Sequence, residues 1–325
     1  MKDKEMNGKI HTAVAVVVFN RLDCMKEMLA SIRRVSPPRL YIISDGARPH
    51  VKGEDAKVEA VRRYVEDNVD WDCELIKVYA DKNLGCTVRS VTGYDEVFKR
   101  EEMAILLEDD AIPVDGFYSY CEHMLEYYRD NEKIMMITGE NRIPDYDEGY
   151  DYYYSAFPMK QAFGTWRRAW ATWHQASNGE FDLKTANRWL KKNTNNKGVV
   201  YYYGSKLIRC KMKLYDVWDG VWDCAMLANE GLGVVSRYHM VNNIGIGRED
   251  ATYMKEDAEL AHLPVGDYEK PVVMRTDEIK PDMEYDREQS SHMPTDNYSY
   301  YLRAHVAYFV FKCFPKLYEK ISRYC

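Results

Sequence analysis

Met103-Ala104-Ile105-Leu106-Leu107-Glu108-Asp109-Asp110-Ala111-Ile112-Pro113 is the stretch around which the chain reads. An apolar run of strand length ends abruptly in three carboxylates, and a proline follows shortly after. Such a run suits a buried strand of a parallel sheet. In an open α/β sheet, ligands sit outside the carboxyl ends of the strands, so the acids would face a binding crevice. Three adjacent carboxylates repel one another, and they stay ionised together most readily when a hard divalent cation shares their charge. A metal held through only one or two carboxylates keeps positions open for phosphate oxygens. The same residues also suit a solvated acidic turn or a helix N-cap, so the surrounding chain has to decide.

Upstream, residues 13–19 form a β-branched run fit for a central strand, stopping at Asn20-Arg21. Leu22, Met25, Met28, Leu29 and Ile32 then recur at helical spacing, and Pro37-Pro38 closes that unit. A second strand over 40–43 ends at Ser44-Asp45-Gly46, followed by a helix over 54–67 with Val58, Val61 and Val65 on one face. A third strand over 75–80 leads to Asn83-Leu84-Gly85, a helix over 87–99 and the acid-tipped strand. This alternation predicts a parallel, doubly wound sheet. Each strand ends in a polar cluster (Asn20-Arg21, Asp45, Asn83, Glu108-Asp109-Asp110), and in a parallel sheet all four lie at one edge.

Further along, a helix over 117–129, a strand over 134–138 and a tyrosine-rich acidic loop over 144–154 are expected. Trp166, Trp170 and Trp173, spaced by four and three, fit one helix face, either as an aromatic core or as a stacking surface. Arg167-Arg168 beside them suits a diphosphate or plain solvation. A helix over 184–192, a polar loop over 193–198, a helix from Trp218 to about 229, a strand over 231–236 and a glycine-rich turn over 242–247 follow.

Composition narrows the function. With 325 residues, 46% hydrophobic and 30% charged, the chain is long enough for a sizeable core and is not of disordered type. A net charge of -7 has the wrong sign for a general nucleic-acid binder. Eight cysteines without a C-x-x-C pair or zinc-ligand spacing point to reduced packing residues and a cytoplasmic setting. The expected partners are therefore small molecules rather than nucleic acid. There is no G-x-G-x-x-G after the first strand, no Walker G-x-x-x-x-G-K-[ST], no H-E-x-x-H and no G-x-S-x-G. A parallel sheet with an acidic edge and many aromatics (27 tyrosines among them) suits transfer from a nucleotide-diphosphate donor, whose leaving group develops negative charge.

Val18-Phe19-Asn20-Arg21, Ser44-Asp45-Gly46, Asn83-Leu84-Gly85, Glu108-Asp109-Asp110, the 163–170 tryptophan block, Trp218-Asp219 and Asn243-Ile244-Gly245 together resemble the GT-A-fold glycosyltransferases. More narrowly, they resemble the bacterial family-2-like enzymes and the N-acetylglucosaminyltransferase I group. The resemblance implies a Rossmann-like, mostly parallel sheet flanked by helices, with a C-terminal helical appendage. It also implies Mn²⁺ or Mg²⁺ as cofactor, a nucleotide-sugar donor, and a glycan or lipid-linked sugar acceptor. Under it, Asn20, Arg21 and Asp45 would contact the nucleoside, with Asp45 near the base, Asp109 would approach ribose or donor sugar, and Asn83 and Glu108 would also belong to the donor-binding set. Asp110 would be the metal ligand, and Asp219 the general base of an inverting transfer. The chain departs from the pattern at Gln161-Ala162 and at Tyr253, where relatives often carry an aromatic-glycine pair and a histidine. A non-catalytic sugar- or partner-binding protein of the same fold is the alternative.

The expected organisation is a catalytic domain over 10–255, an irregular wrapping segment over 256–297 and a helical tail over 298–325. In the tail, Leu302, Val306, Phe309, Val310, Cys313, Leu317 and Ile321 recur at helical spacing among Arg303, Lys312, Lys316, Lys320 and Arg323. A basic amphipathic helix of this kind either lies on an anionic membrane surface, here the inner face of the cytoplasmic membrane, or docks on the catalytic domain.

Overall fold

A computed structural model of the protein describes residues 9–215, 217–248 and 262–314. Four β-rich runs form the strands β1 (Ala13–Val18), β2 (Arg39–Ser44), β3 (Glu74–Tyr79) and β4 (Met103–Glu108). They alternate with helices α1 (Leu22–Val35), α2 (Glu54–Asn68) and α3 (Cys86–Arg100). All four strands pair in parallel, in the order β3-β2-β1-β4, with Val16 opposite Ile42 and Ala15 opposite Leu106. Helix α1 stops where Ser36 turns left-handed (φ 40°) and its N–H bonds back to the Ile32 carbonyl, just before the two prolines. Because the strands run together, Asn20, Asp45, Asn83 and the acids after Glu108 all emerge at the carboxyl edge.

The chain continues with β5 (Ala111–Pro113), α4 (Asp115–Tyr127), β6 (Ile134–Thr138), β7 (Tyr152–Ser155) and β8 (Ala162–Trp166). After a helical stretch come β9 (Leu232–Ser236) and β10 (Val241–Asn243). The sheet extends to eight strands in the order β3-β2-β1-β4-β8-β6-β9-β7, and β10 pairs antiparallel with β5 in a small separate ribbon. The α/β class and the mostly parallel, helix-flanked sheet are as the sequence predicts.

Compact packing divides the described residues into two units that interleave along the chain. One takes the described residues up to Tyr153, Pro158–Arg168 and those within Gly233–Glu278. The other takes Tyr154–Phe157, Ala169–Leu232 and the described residues from Ile279 on. The boundary expected from sequence at 255 lies outside the described residues.

Three expectations are corrected. Residues 162–166 are not helical: β8 runs antiparallel between β4 and β6, and all five of its residues are buried. Trp166 therefore belongs to a strand, and only Trp170 and Trp173 share a helix, α5 (Arg167–Ser177). The four-residue spacing had spanned a strand–helix junction. The tyrosine-rich loop contains β7, whose four residues are buried. Beyond the expected polar loop, α7 (Lys197–Lys211) extends for fifteen residues, capped by Asn196 accepting from the N–H groups of Gly198 and Val199. Two glycines, three tyrosines and a buried Lys206 hide its apolar period.

In the second unit, α6 (Leu183–Asn193), α7, α8 (Trp218–Ala228), α9 (Met283–Gln289) and α10 (Tyr298–Cys313) form a helical assembly with α5. Trp170 stacks on Trp173 and Trp222 at centroid distances of 5.5 and 5.9 Å, and the Trp173 indole donates to the Trp218 carbonyl. The tryptophans are core. Two acids anchor residues 154–157: Asp282 accepts from Tyr154 N at 2.7 Å, and Asp286 accepts from Ser155 Oγ (2.5 Å) and Ala156 N (2.9 Å). Among the described residues no helix is long and apolar enough to cross a membrane. The seven described cysteines carry no disulfide.

Two outcomes follow from this packing. A Cβ at Gly164 would lie 2.5 Å from Cys121 Sγ and 2.8 Å from Leu125 Cδ1. Gly164→Ala should therefore cost about 1–3 kcal/mol by overpacking, read from urea unfolding. Burial pushes the Asp286 carboxyl up to about 7, against the pull of its two hydrogen bonds. The folded protein thus keeps a proton that the unfolded chain sheds near pH 4. Stability should decline as pH rises from about 4 through 7, by up to about 1.4 kcal/mol per pH unit. Asp286→Asn should flatten that part of the pH–stability curve, and an unchanged slope would place the titrating group elsewhere.

Candidate active site

At the carboxyl edge, the first polar residues after β1 and β4 meet. Arg21 reaches across both acids of the turn after β4, with Nη2 2.7 Å from Asp109 Oδ1 and Nη1 2.8 Å from Asp110 Oδ2. The planar guanidinium fork suits this double contact as a lysine would not. Asp109 is buried, and burial pushes its carboxyl up to about 7, while the Arg21 charge and the Phe19 N–H pull it down. Burial would lower the Arg21 pKa, but the charges of Asp109 and then Asp110 outweigh that and hold it above its ordinary value. Glu108 ends β4 beside Tyr94 of α3, whose phenol is raised chiefly by burial and further by the Glu108 charge.

Gly245 fixes the other side of Asp110. A Cβ there would sit 2.2 Å from Asp110 Oδ2, so only glycine lets the carboxylate lie against this turn. The Ile244 N–H bonds the Asp110 carbonyl at 2.9 Å, continuing the β5–β10 ribbon. The 242–247 turn expected from sequence thus forms one wall of the acidic site.

Asp45 and Asn83 are brought together. Asp45 Oδ1 accepts from Gly46 N and Leu84 N, both at 2.8 Å. Its Oδ2 accepts from Asn83 Nδ2 (3.1 Å) and Gly85 N (2.9 Å). Asn83 Nδ2 also donates to the Gly46 carbonyl at 2.8 Å. The Asp45 carboxylate is filled by its own loop, whose backbones approach so closely that a Cβ at Gly46 would lie 2.5 Å from the Lys82 carbonyl carbon. Asn20 is held as well, donating to Glu54 Oε1 at 2.9 Å.

Glu54 was read from sequence only as the start of a helix. It is buried, and hydrogen bonds from Arg48 hold its carboxyl below the usual range. Arg48 in turn lies over the Phe19 ring. The sequence signal was slight: an arginine six residues before an acid in a Pro/Gly-containing connection. Arg167 is exposed, as plain solvation would have it, while Arg168 is half-buried. Arg167 donates to the Glu101 carbonyl, and Arg168 donates to the carbonyls of Tyr128, Arg129 and Asn131 while lying over Trp166.

Asp219 belongs to the second unit, in the first turn of α8. Asp223, one turn on, lies 3.3 Å from the buried Lys206 ammonium. Burial would lower the Lys206 pKa, but the Asp223 charge outweighs it. Tyr202, Tyr203 and Tyr215 surround that ammonium at 4.3–5.8 Å from their ring centres. Among the described residues no ion pair holds Asp219, which is half-buried near Tyr215. Of the two acids, Asp223 is the one paired with a lysine. Tyr253 lies outside the described residues.

Among the described residues no group of three or more His, Cys, Asp and Glu side chains is gathered to hold a metal. Asp109 and Asp110 nevertheless fit Mg²⁺ or Mn²⁺, which need only one or two carboxylates beside water and phosphate oxygens. Arg21, however, takes both acids. Guanidinium and cation would therefore compete.

No protein-family model matches the chain, and no curated protein matches it. Among solved structures, it is similar to a mannosyltransferase from Pyrobaculum calidifontis in complex with GDP-Man and Mn²⁺. The identity is 13% and the TM-score 0.35, covering 64% of this chain and 54% of that one. It is also similar to a CMP:2-keto-3-deoxy-manno-octonic acid synthetase complexed with CTP, at 12% identity and TM-score 0.30, covering 51% of this chain and 78% of that one. The chain spans about half the length of the mannosyltransferase. Likeness at this level says nothing of activity, and the fold rests on the strand order itself.

Arg21→Ala would leave a buried and a half-buried carboxylate side by side without their counter-ion. The expected cost in metal-free buffer is about 3 kcal/mol by denaturant unfolding. Mn²⁺ should then raise the Tm of the variant more than that of the parent, because it no longer has to displace the guanidinium. Equal shifts would show that arginine and metal do not share the site.

Proposed function

We propose that the protein is a nucleotide-sugar-dependent glycosyltransferase of GT-A type, acting on a glycan or lipid-linked sugar hydroxyl. The observation that carries this reading is the Asp109–Asp110 pair set at the carboxyl edge of a parallel sheet and bridged by Arg21. In open α/β sheets ligands bind at the carboxyl ends of the strands, where this pair lies. In this proposal Asp110, with Asp109, would hold Mn²⁺ or Mg²⁺. A divalent cation there supplies charge stabilisation to a departing diphosphate. Arg21, released from the acids, would donate its fork to donor phosphates. Asn20 and Glu108 would line the donor pocket, and Asp45 with Asn83 would fix the loop against which a nucleoside rests.

Asp219 is the proposed general base, taking the acceptor hydroxyl proton in an inverting displacement. Its carboxylate lacks the lysine partner that occupies Asp223. One observation favours the alternative of a non-catalytic binder: Arg21 already gives both acids a partner within the fold.

Donor hydrolysis across a panel of nucleotide sugars, with and without Mn²⁺, separates the two readings. The transferase should hydrolyse its preferred donor slowly and only with the cation. Asp110→Ala should abolish that turnover with the fold retained. Asp219→Asn should lower it by roughly 10²-fold while donor affinity, measured by thermal shift, stays near that of the parent. A larger loss in Asp223→Asn with Asp219→Asn unimpaired would move the base, and binding without hydrolysis of any donor would favour the binder.

A further inference from the structure

Helix α10 is apolar nearly all round, yet none of its residues is buried. One face packs on α7: Tyr301 closes over Gly204, where a Cβ would lie 2.5 Å from its ring, and Tyr201 meets Tyr298 and Tyr301 at 5.5 and 5.3 Å. The next column round the helix has no such cover. Leu302, Val306 and Phe309 are 47%, 56% and 59% exposed, an apolar stripe at four- and three-residue spacing, and Phe314, just past the helix, is 53% exposed. A helix apolar on all sides with only one side covered is incomplete in water.

Beside the stripe runs a groove of about 650 Å³ between α6 and α10. Tyr301, His305, Tyr308 and Lys312 line it from α10, and Lys184, Arg188 and Lys191 from α6. Its one acid, Asp182, is engaged as the N-cap of α6, and Glu230 pairs loosely with Arg188 at 3.6 Å. Lys184, Lys191, Arg303 and Lys312 have no ion-pair partner among the described residues. Positive charge is thus gathered beside exposed hydrocarbon in a chain whose net charge is -7.

We infer that this surface docks on an anionic lipid bilayer, with the Leu302/Val306/Phe309 stripe entering the acyl boundary and the α6–α10 cations meeting headgroup charge. Charge complementarity selects this occupant. A two-fold pairing with a second copy would set one basic groove against another. A nucleic acid would satisfy the cations but leave the aliphatic stripe wet. The cations come largely from α6, so the surface is a tertiary one and does not reduce to the basic tail expected from sequence, part of which lies outside the described residues. The inference is independent of the donor chemistry.

The test is vesicle flotation of the full chain. It should float with phosphatidylcholine–phosphatidylglycerol vesicles at low salt, and not with phosphatidylcholine alone. High salt should weaken binding, because charged contacts at a surface are screened. Each cation near such a surface is worth about fivefold in partition, so Lys191→Glu with Lys312→Glu should lose at least about 25-fold. Phe309→Ser should lose about tenfold even at low salt, by removal of apolar burial. Lys191→Glu serves alone if a Phe309 variant unfolds. Flotation of the variants like the parent, or no flotation of the parent, would overturn the inference. So would a salt-sensitive grip on single-stranded oligonucleotide without vesicle binding, or a dimer dissolved by Phe309→Ser.

Discussion

A carboxylate removed from water must find a positive partner or take up a proton, and the carboxyl edge of this sheet is arranged around that requirement. Asp109 is buried because β4 runs through the middle of the sheet and its turn folds back over the end of β1. Arg21 is the first charged residue after that same strand, so the parallel pairing of β1 and β4 itself brings the partners together. With both acids in its fork, the arginine keeps the turn closed and offsets part of their charge. Any cation or anionic ligand has to act through this pair, since it must either replace the guanidinium or draw it away.

The neighbouring loops follow the same logic with backbone donors. Asp45 gathers N–H groups from its own turn and from the loop after β3, while Arg62 donates to the carbonyls of Asp45 and Ala80 on the other side. The buried Glu54 ties Asn20 to Arg48. The edge is therefore a set of loops fixed by buried carboxylates, each filled by donors within its own surroundings. Such preorganisation holds a ligand-binding edge in shape without a ligand.

In the second unit the balance is different. Its interior is aromatic, with Trp170, Trp173 and Trp222 stacked and three tyrosines around the Lys206 ammonium. Among its buried ionisable groups, Lys206 is paired with Asp223, and Asp286 is held by Ser155 and the Ala156 N–H while burial raises its pKa. Helix α10 packs on α7 with one face, and Leu302, Val306 and Phe309 on another face are exposed.

The first half of the sheet was legible because parallel strands buried on both faces read as short apolar runs, and their connecting helices keep a clean 3.6-residue period. The runs read as strands over 13–19 and 40–43 became Ala13–Val18 and Arg39–Ser44, and the acid-tipped run became Met103–Glu108. Strand order was not legible for the later strands. Ala162–Trp166 pairs antiparallel between β4 and β6 through contacts far apart in sequence, and its tryptophan imitated a helical repeat. Helix α7 was hidden because its glycines and tyrosines pack by shape, as Gly204 does under Tyr301. The acids, Asn20, Arg21, Asp45 and Asn83 stood out as polar residues at strand ends, which local pattern reveals. Which of them pair with one another, and that Asp223 is taken by Lys206 while Asp219 is not, depended on side-chain reach across the fold. Local periodicity thus determined the elements and the edge at which they end, while the partner of each charge was decided only when the chain closed on itself.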